Sequence, residues 1–210
     1  MIRYILFDLD NTLYPSSLGL EEEMGARIQE FTARFLGVSP EEAVQFRRER
    51  IVRYGTTLEW LMNEEGFRDI EGYYAAVHPE GEEDRLAPDP ATRAFIQSLP
   101  VPSAILTNSP MEHALRVLKK LDLEDLFTHI FDIRWNGLKG KPQETAFRKA
   151  LDTIGHEPAE VLFVDDFPLY VEGFLRMGGR GVLLDEENLH PAYPGRRIRA
   201  LGELPGHLED

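Results

Sequence analysis

The sequence predicts a doubly wound parallel α/β sheet with a helical segment inserted after its first strand. Three observations lead there. Short runs rich in branched and aromatic side chains, at 4–7, 103–106, 130–133, 161–164 and 181–184, alternate with stretches of helical periodicity. These runs are continuously apolar rather than alternating, as expected of strands buried on both faces of a parallel sheet. Residues 15–87 interrupt the pattern with helical periodicity alone.

Taken in order, Tyr4 to Phe7 forms the first strand and ends in Asp8-Leu9-Asp10-Asn11-Thr12. A helix is expected over 19–36, with Met24, Ile28, Phe31, Phe35 and Leu36 at helical spacing and Gly37 closing it. Ser39-Pro40-Glu41-Glu42 opens a second, as N-cap, first-turn proline and third-position glutamate, running to about Tyr54. Shorter helices are expected over 58–66 and 70–77, then a polar connector over 78–90. From there, helices over 90–99, 111–121, 141–154 and 169–177 and a short helical piece at 123–127 separate the remaining strands; a last strand is expected near Arg197-Ile198. The domain reading is a core of residues 1–14 and 88–210 with a helical cap of residues 15–87.

Composition narrows the function. The 210 residues carry 37 acids against 23 bases, a net charge of −14, which argues against nucleic acid polymers as partners. Zero cysteines exclude disulfides, thiol catalysis and thiolate metal sites. No apolar run nears the ~20 residues of a membrane span, and the first residues lack a signal-peptide pattern, so a cytoplasmic protein that leaves membranes alone is expected. Nothing in the sequence sets the oligomeric state.

The chemistry-bearing residues fall at strand or helix ends, where open α/β sheets bind ligands. Asp8 and Asp10 follow the first strand, Thr107-Asn108 the second, and Asp165-Asp166 the fourth; Lys141 stands at a helix start. Asp8, Asp165 and Asp166 offer hard oxygens suited to Mg²⁺. Thr107 and Asn108, before a helix N-terminus, suit an anion such as phosphate. Lys141 adds a cation for carboxylate and phosphoryl oxygens. A carboxylate nucleophile, a divalent cation, an anion cradle and a lysine are the parts of phosphoryl transfer through an aspartyl-phosphate.

With these motifs, Phe7-Asp8-Leu9-Asp10-Asn11-Thr12-Leu13, Leu106-Thr107-Asn108, Gly140-Lys141-Pro142 and Phe163-Val164-Asp165-Asp166, the chain resembles the haloacid dehalogenase-like hydrolase superfamily. The resemblance covers nearly the whole chain. Softer matches at 10–17, Tyr54-Gly55 and Leu204-Pro205 resemble the pyrimidine 5′-nucleotidase branch of its phosphatases. The resemblance implies a Mg²⁺-dependent phosphatase of a small phosphorylated metabolite, with a nucleoside 5′-monophosphate as one candidate. Asp8 would be the nucleophile and Asp10 the general acid and base, its pKa raised by desolvation under the cap. Mg²⁺ would be held by Asp8, the Asp10 carbonyl and Asp166, with Asp165 sharing the metal shell. Thr107, Asn108 and Lys141 would bind the phosphoryl group. Many relatives carry another acid five positions past the metal ligand; here that position is Val171. A phosphomutase using the same phosphoenzyme, or a non-catalytic phosphate- or nucleotide-binding protein, are the alternatives.

Other features have ordinary expectations. The six histidines show no metal spacing and are read as surface or helix residues. The acidic runs at 21–23 and 82–84 are read as solvated. Trp60 reads as cap core, although Trp60, Tyr54 and Tyr14 could stack on a base. Arg196, Arg197 and Arg199 are too few for a nucleic-acid patch.

Overall fold

A computed structural model describes residues 1–208. Six strands form one parallel sheet: β1 (Tyr4–Phe7), β2 (Ser103–Leu106), β3 (Ile130–Phe131), β4 (Val161–Asp165), β5 (Arg180–Leu184) and β6 (Arg196–Ile198), in the order β3-β2-β1-β4-β5-β6. The first strand is central, and the winding reverses beside it. β1 pairs with β2 on one side and β4 on the other, so the loops after all three strands converge on one crevice, the topological switch point.

The central strand shows why its sequence lacks alternation. Ile5 and Phe7 join a core with Ile105, Val164 and Val182 on one face; Tyr4 and Leu6 join Ala104, Phe147, Phe163 and Phe174 on the other. Leu6 and Phe7 are fully buried, each contributing about 1.5–3 kcal/mol relative to exposure. Around the sheet lie α5 (Pro90–Gln97), α6 (Met111–Leu121), α7 (Glu144–Ile154) and α8 (Pro168–Arg176).

Between β1 and α5 run α1 (Leu20–Leu36), α2 (Pro40–Tyr54), α3 (Thr57–Glu64) and α4 (Ile70–Val77). The expected capping box at Ser39 and Glu42 is formed, and Gly37 closes α1 in the left-handed conformation. These helices bury their own cluster, centred on Trp60, Leu61, Phe67 and Tyr73. Trp60 is buried in this helical cluster, the packing role its residue type suggested. Ile133 and Leu138 join this cluster from the segment after β3, so the cap helices rest on that segment.

Four local expectations need correction. The helix expected from Lys141 starts at Glu144, because both backbone polar groups of Lys141 bond the Asn108 side chain and are withdrawn from any helix ladder. The piece at 123–127 is a turn: Asp122 takes φ +59 and ends α6, and Leu123 drops into the core. β3 stops at Phe131 because the Asp132 carboxylate accepts from the backbone N–H groups of Met111 and Trp135. In the connector, Glu82 and Glu83 are buried within a short 3-10 turn rather than solvated.

Helix α8 also packs directly on the lysine segment. A Cβ at Gly173 would stand 2.8 Å from Pro142 Cβ and 2.9 Å from its carbonyl oxygen. Gly173→Ala is therefore expected to destabilise the fold by about 1–3 kcal/mol, read as a lower urea midpoint; an unchanged midpoint would show that this contact yields freely.

Candidate active site

Asp8 leaves β1 with its N–H bonded to the Val164 carbonyl. The chain then turns tightly, with the Thr12 and Leu13 N–H groups on the Leu9 carbonyl and Asn11 in the left-handed region at φ +55. Asparagine tolerates that conformation better than most residues. The turn brings Asp8 and Asp10 into one crevice, both 7% exposed.

Lys141 reaches into it from the segment before α7. It is fully buried, and its Nζ donates to Asp8 Oδ1 and Asp165 Oδ2, both at 2.6 Å. Asn108 Oδ1 accepts from the Lys141 N–H at 2.8 Å and Nδ2 donates to the Lys141 carbonyl at 3.1 Å, which sets the direction of the lysine. Asp165 commits its other oxygen to the Phe167 N–H at 2.8 Å. Asp166 is less engaged, accepting from Asn11 Nδ2 at 3.3 Å, and it lines the cavity. Val171 is buried on α8 and stands against Gly181.

Carboxylate oxygens of Asp8, Asp165 and Asp166 lie within 4.8 Å of one another. Burial raises the pKa of all three; Lys141 opposes the rise, and repulsion among the neighbouring acids adds to it. Asp8 is thus held above its reference range rather than near it. The donor set is entirely hard oxygen, and the buried Asn11 Oδ1 beside it lacks a hydrogen-bond partner among the described residues. These residues fit a small divalent cation such as Mg²⁺, whose charge would relieve the crowding.

Asp10 departs from expectation. Burial pushes its pKa up, as anticipated, but this is outweighed: the His113 imidazolium and hydrogen bonds from His113, Ser109 and Tyr14 hold it well below the usual carboxylate range. His113 Nε2 stands 2.7 Å from Asp10 Oδ1, Ser109 Oγ donates to Oδ2 at 2.7 Å, and the Tyr14 hydroxyl donates to Oδ1 at 2.8 Å. Tyr14 is therefore a partner of Asp10, not a stacking platform. Burial opposes charge on His113, but Asp10 and Glu82 on its two ring nitrogens push its pKa up to about 10.

Behind His113 lies a second buried cluster. His113 Nδ1 is 2.6 Å from Glu82 Oε1, and His78 Nδ1 is 3.2 Å from the same oxygen. Glu82 is also paired with Arg27 from α1 and, at 3.3 Å, with Arg116 from α6. Two guanidinium groups already neutralise this carboxylate, so the cluster reads as a hydrogen-bonded relay between the connector and Asp10 rather than a cation cage. His113 sits on helix α6 as one half of the expectation allowed, but it and His78 are buried, which corrects the surface half. One signal in the sequence marks His113: Val117 and Leu121 follow it at i+4 and i+8 on the apolar stripe of α6, which places a polar ring on a buried face.

Thr107 is buried, accepts from the Ser109 N–H through Oγ1 at 3.0 Å, and lines the cavity with Asn108, Lys141, Asp8 and Asp10. The cavity measures about 270 Å³ and is roofed by cap residues. Gly55, at φ +77, brings the cap down on its rim: a Cβ there would meet the Lys141 carbonyl oxygen at 2.8 Å. Gln143 Nε2 ties the same edge, donating to the Tyr54 carbonyl at 2.6 Å and Glu59 Oε2 at 2.5 Å.

This crevice, with its acid pair, buried lysine and helical roof, is the arrangement of a hydrolase family. The haloacid dehalogenase-like hydrolase model matches residues 2–178, and the chain belongs to that family. Its similarity to Phosphate metabolism protein 8 of Saccharomyces cerevisiae is 26% identity over 190 residues, which is 84% of this chain and 59% of the yeast protein. The chain thus spans about three-fifths of that relative's length. Among solved structures, an HAD phosphatase from Thermococcus onnurineus superposes with a TM-score of 0.65 at 22% identity, covering 99% of this chain and 98% of the other. The HAD-hydrolase YfnB from Bacillus subtilis, bound to magnesium, superposes at 0.61 with 19% identity, covering 100% and 99%. L-2-haloacid dehalogenase from Xanthobacter autotrophicus gives 0.63 at 18% identity and covers 98% of each. These likenesses show the fold. No helix among the described residues is long and apolar enough to cross a membrane.

The buried imidazolium makes stability pH-dependent. A raised folded-state pKa stabilises fully below the unfolded value of ~6.5, and that contribution is lost as pH rises through about 10. The urea midpoint of the native chain is expected to fall between pH 6.5 and 10, and that of His113→Asn to fall less. Parallel curves for the two would remove the imidazolium from this account.

Proposed function

We propose that this hydrolase is a Mg²⁺-dependent phosphatase of small phosphate monoesters that works through an aspartyl-phosphate on Asp8. One observation supports this most: the Asp8 carboxylate sits at the switch point of the sheet, held by a buried lysine, beside two further acids and at the floor of a roofed cavity. In this reading the residues 15–87 are a cap that covers the site.

In the first step Asp8 attacks phosphorus, forming its carboxylate–phosphorus bond as the ester oxygen leaves. The departing oxygen takes a proton from Asp10. That proton comes from the Asp10–His113 pair, whose Oδ1 and Nε2 stand 2.7 Å apart and hold one proton between them. Asp10, ionised again, then accepts a proton from the water that attacks the aspartyl-phosphate, releasing phosphate and restoring Asp8. Lys141 keeps Asp8 oriented and meets phosphoryl charge; Thr107 and Asn108 line the phosphoryl end. Mg²⁺, bound by Asp8, Asp166 and the Asp10 carbonyl with Asp165 behind them, would offset the negative charge of carboxylates and phosphoryl group together. A proton donor for the leaving oxygen favours ester hydrolysis over dehalogenation, whose halide needs no proton.

The sequence resemblance adds a nucleoside 5′-monophosphate as a candidate ester, and a cytoplasmic setting is in keeping with such a metabolite. Phosphate release from a panel of monoesters, nucleoside monophosphates included, tests the reading. Activity is expected to vanish with EDTA, return with Mg²⁺, and drop about a thousandfold or more in Asp8→Asn. Turnover indifferent to the chelator, or retained by Asp8→Asn, would overturn it. His113→Asn is expected to slow esters with poor leaving groups more than aryl phosphates, measured as kcat on matched esters, because only the former depend fully on proton donation.

A further inference from the structure

The roof of the cavity contains a cation with no carboxylate partner among the described residues. Arg47, in the middle of α2, lines the same cavity as Asp8 and Lys141. Its Nε donates to Thr57 Oγ1 at 3.0 Å, and Nη1 reaches the Gly25 carbonyl at 3.4 Å. A guanidinium has five N–H donors. Two are engaged, so three, both Nη2 protons among them, have no protein partner among the described residues. Arg47 also forms no ion pair with a carboxylate there, whereas Arg27 pairs with Glu82 and Arg50 and Arg53 pair with Glu64; Arg34, Arg48 and Arg68 likewise form none, but they lie outside the cavity lining.

That contrast is informative in a chain with a fourteen-charge excess of acids. Acidic partners are abundant, yet among the described residues none is placed against the guanidinium in the cavity wall. Met24, Ile28, Ile51 and Val77 line the cavity with it, together with Tyr73 and Glu21. Burial pushes the Arg47 pKa down, the direction expected for a charge short of compensation. Arg47 is half-buried, and a charge withdrawn from water is costly unless paired; the planar fork of arginine fits carboxylate and phosphate oxygens two at a time. Thr57 fixes the side of the fork that carries Nε, leaving the Nη2 end for a ligand.

We infer that Arg47 forms a second anion subsite, and that the substrate is a phosphate monoester whose organic part carries another anionic group, a carboxylate or a second phosphate. This rests on the phosphatase reading above and narrows it. Lys141 and the phosphoryl cradle hold the reacting phosphate at the floor; Arg47 holds the other anion under the roof. Esters with both anions bind across cap and core, and esters with one leave the guanidinium unpaired.

Matched substrates test this in the presence of Mg²⁺. One arm compares 2-phosphoglycolate with 2-hydroxyethyl phosphate, exchanging a carboxylate for a hydroxymethyl-like neutral end. The other compares propane-1,3-diol bisphosphate with 3-hydroxypropyl phosphate. Uridine 5′-monophosphate, whose base is neutral and offers carbonyl acceptors but no anion, is the third comparison. In at least one pair the anion-bearing ester is expected to have the higher kcat/KM by about tenfold or more, and the pair that responds identifies carboxylate or phosphate. Arg47→Met is expected to bring that ratio close to one, and Arg47→Lys to keep part of it, with circular dichroism confirming that both variants fold. Ratios near one in the native protein, ratios untouched by Arg47→Met, or an Arg47-dependent preference for uridine 5′-monophosphate over the anion-bearing esters would each overturn the subsite while leaving phosphatase activity in place. Failure of every ester, in the native protein as in Asp8→Asn, would overturn the phosphatase reading and the subsite with it.

Discussion

A single buried ammonium organises this crevice. Lys141 Nζ lies between Asp8 and Asp165, 2.6 Å from each, with none of its side chain effectively open to water. Two carboxylates from adjacent strands would otherwise repel across a low-dielectric gap, and removing one partner of such a cluster leaves an uncompensated charge. The lysine must therefore be delivered to one place. Asn108 does this by holding its backbone on both sides, and Gly173 permits α8 to press against the following proline. The loops after β1 and β2, the end of β4 and the segment before α7 thus meet on this one residue, through its ammonium and its backbone.

The acid side of the site is governed by a different balance. Asp8 and Asp10 are two residues apart and equally buried, yet their surroundings drive them in opposite directions. Asp8 faces other acids and one shared cation. Asp10 faces an imidazolium, a hydroxyl and a phenol, all donating to it. Pairs of titratable groups pushed apart by their environments are the usual basis for dividing labour in catalysis. The separation here arises from a helix, α6, that carries His113 to Asp10, and from a connector that brings Glu82 to the far side of the ring.

That connector links the site to the cap. Glu82 joins Arg27 of α1, His78 at the end of α4, and Arg116 and His113 of α6. On the opposite rim, the Gly55 segment lies on the lysine loop. Helices α1 to α4 thus meet the crevice along two edges, and Arg47 of α2 lines the cavity between them.

The strand ends were legible in the chain because a parallel sheet demands continuous apolar runs, and the first polar residues after them must lie at its carboxyl edge. Asp8, Asp10, Thr107, Asn108, Asp165 and Asp166 were therefore readable as one cluster, and Lys141 by its place before a helix. The cap helices were equally plain, since their periodicity and capping residues are local. What only the tertiary structure decided was every relation between groups distant in sequence. Glu82 looked solvated because its neighbours are acids, but Arg27, His113 and Arg116 arrive from two other helices to neutralise it. The direction of the Asp10 shift followed from the same cause: burial alone can be anticipated from sequence, whereas the imidazolium that outweighs it stands 103 positions away. Local chemistry is written in order along the chain, while charge compensation depends on distances that exist only once the chain is folded.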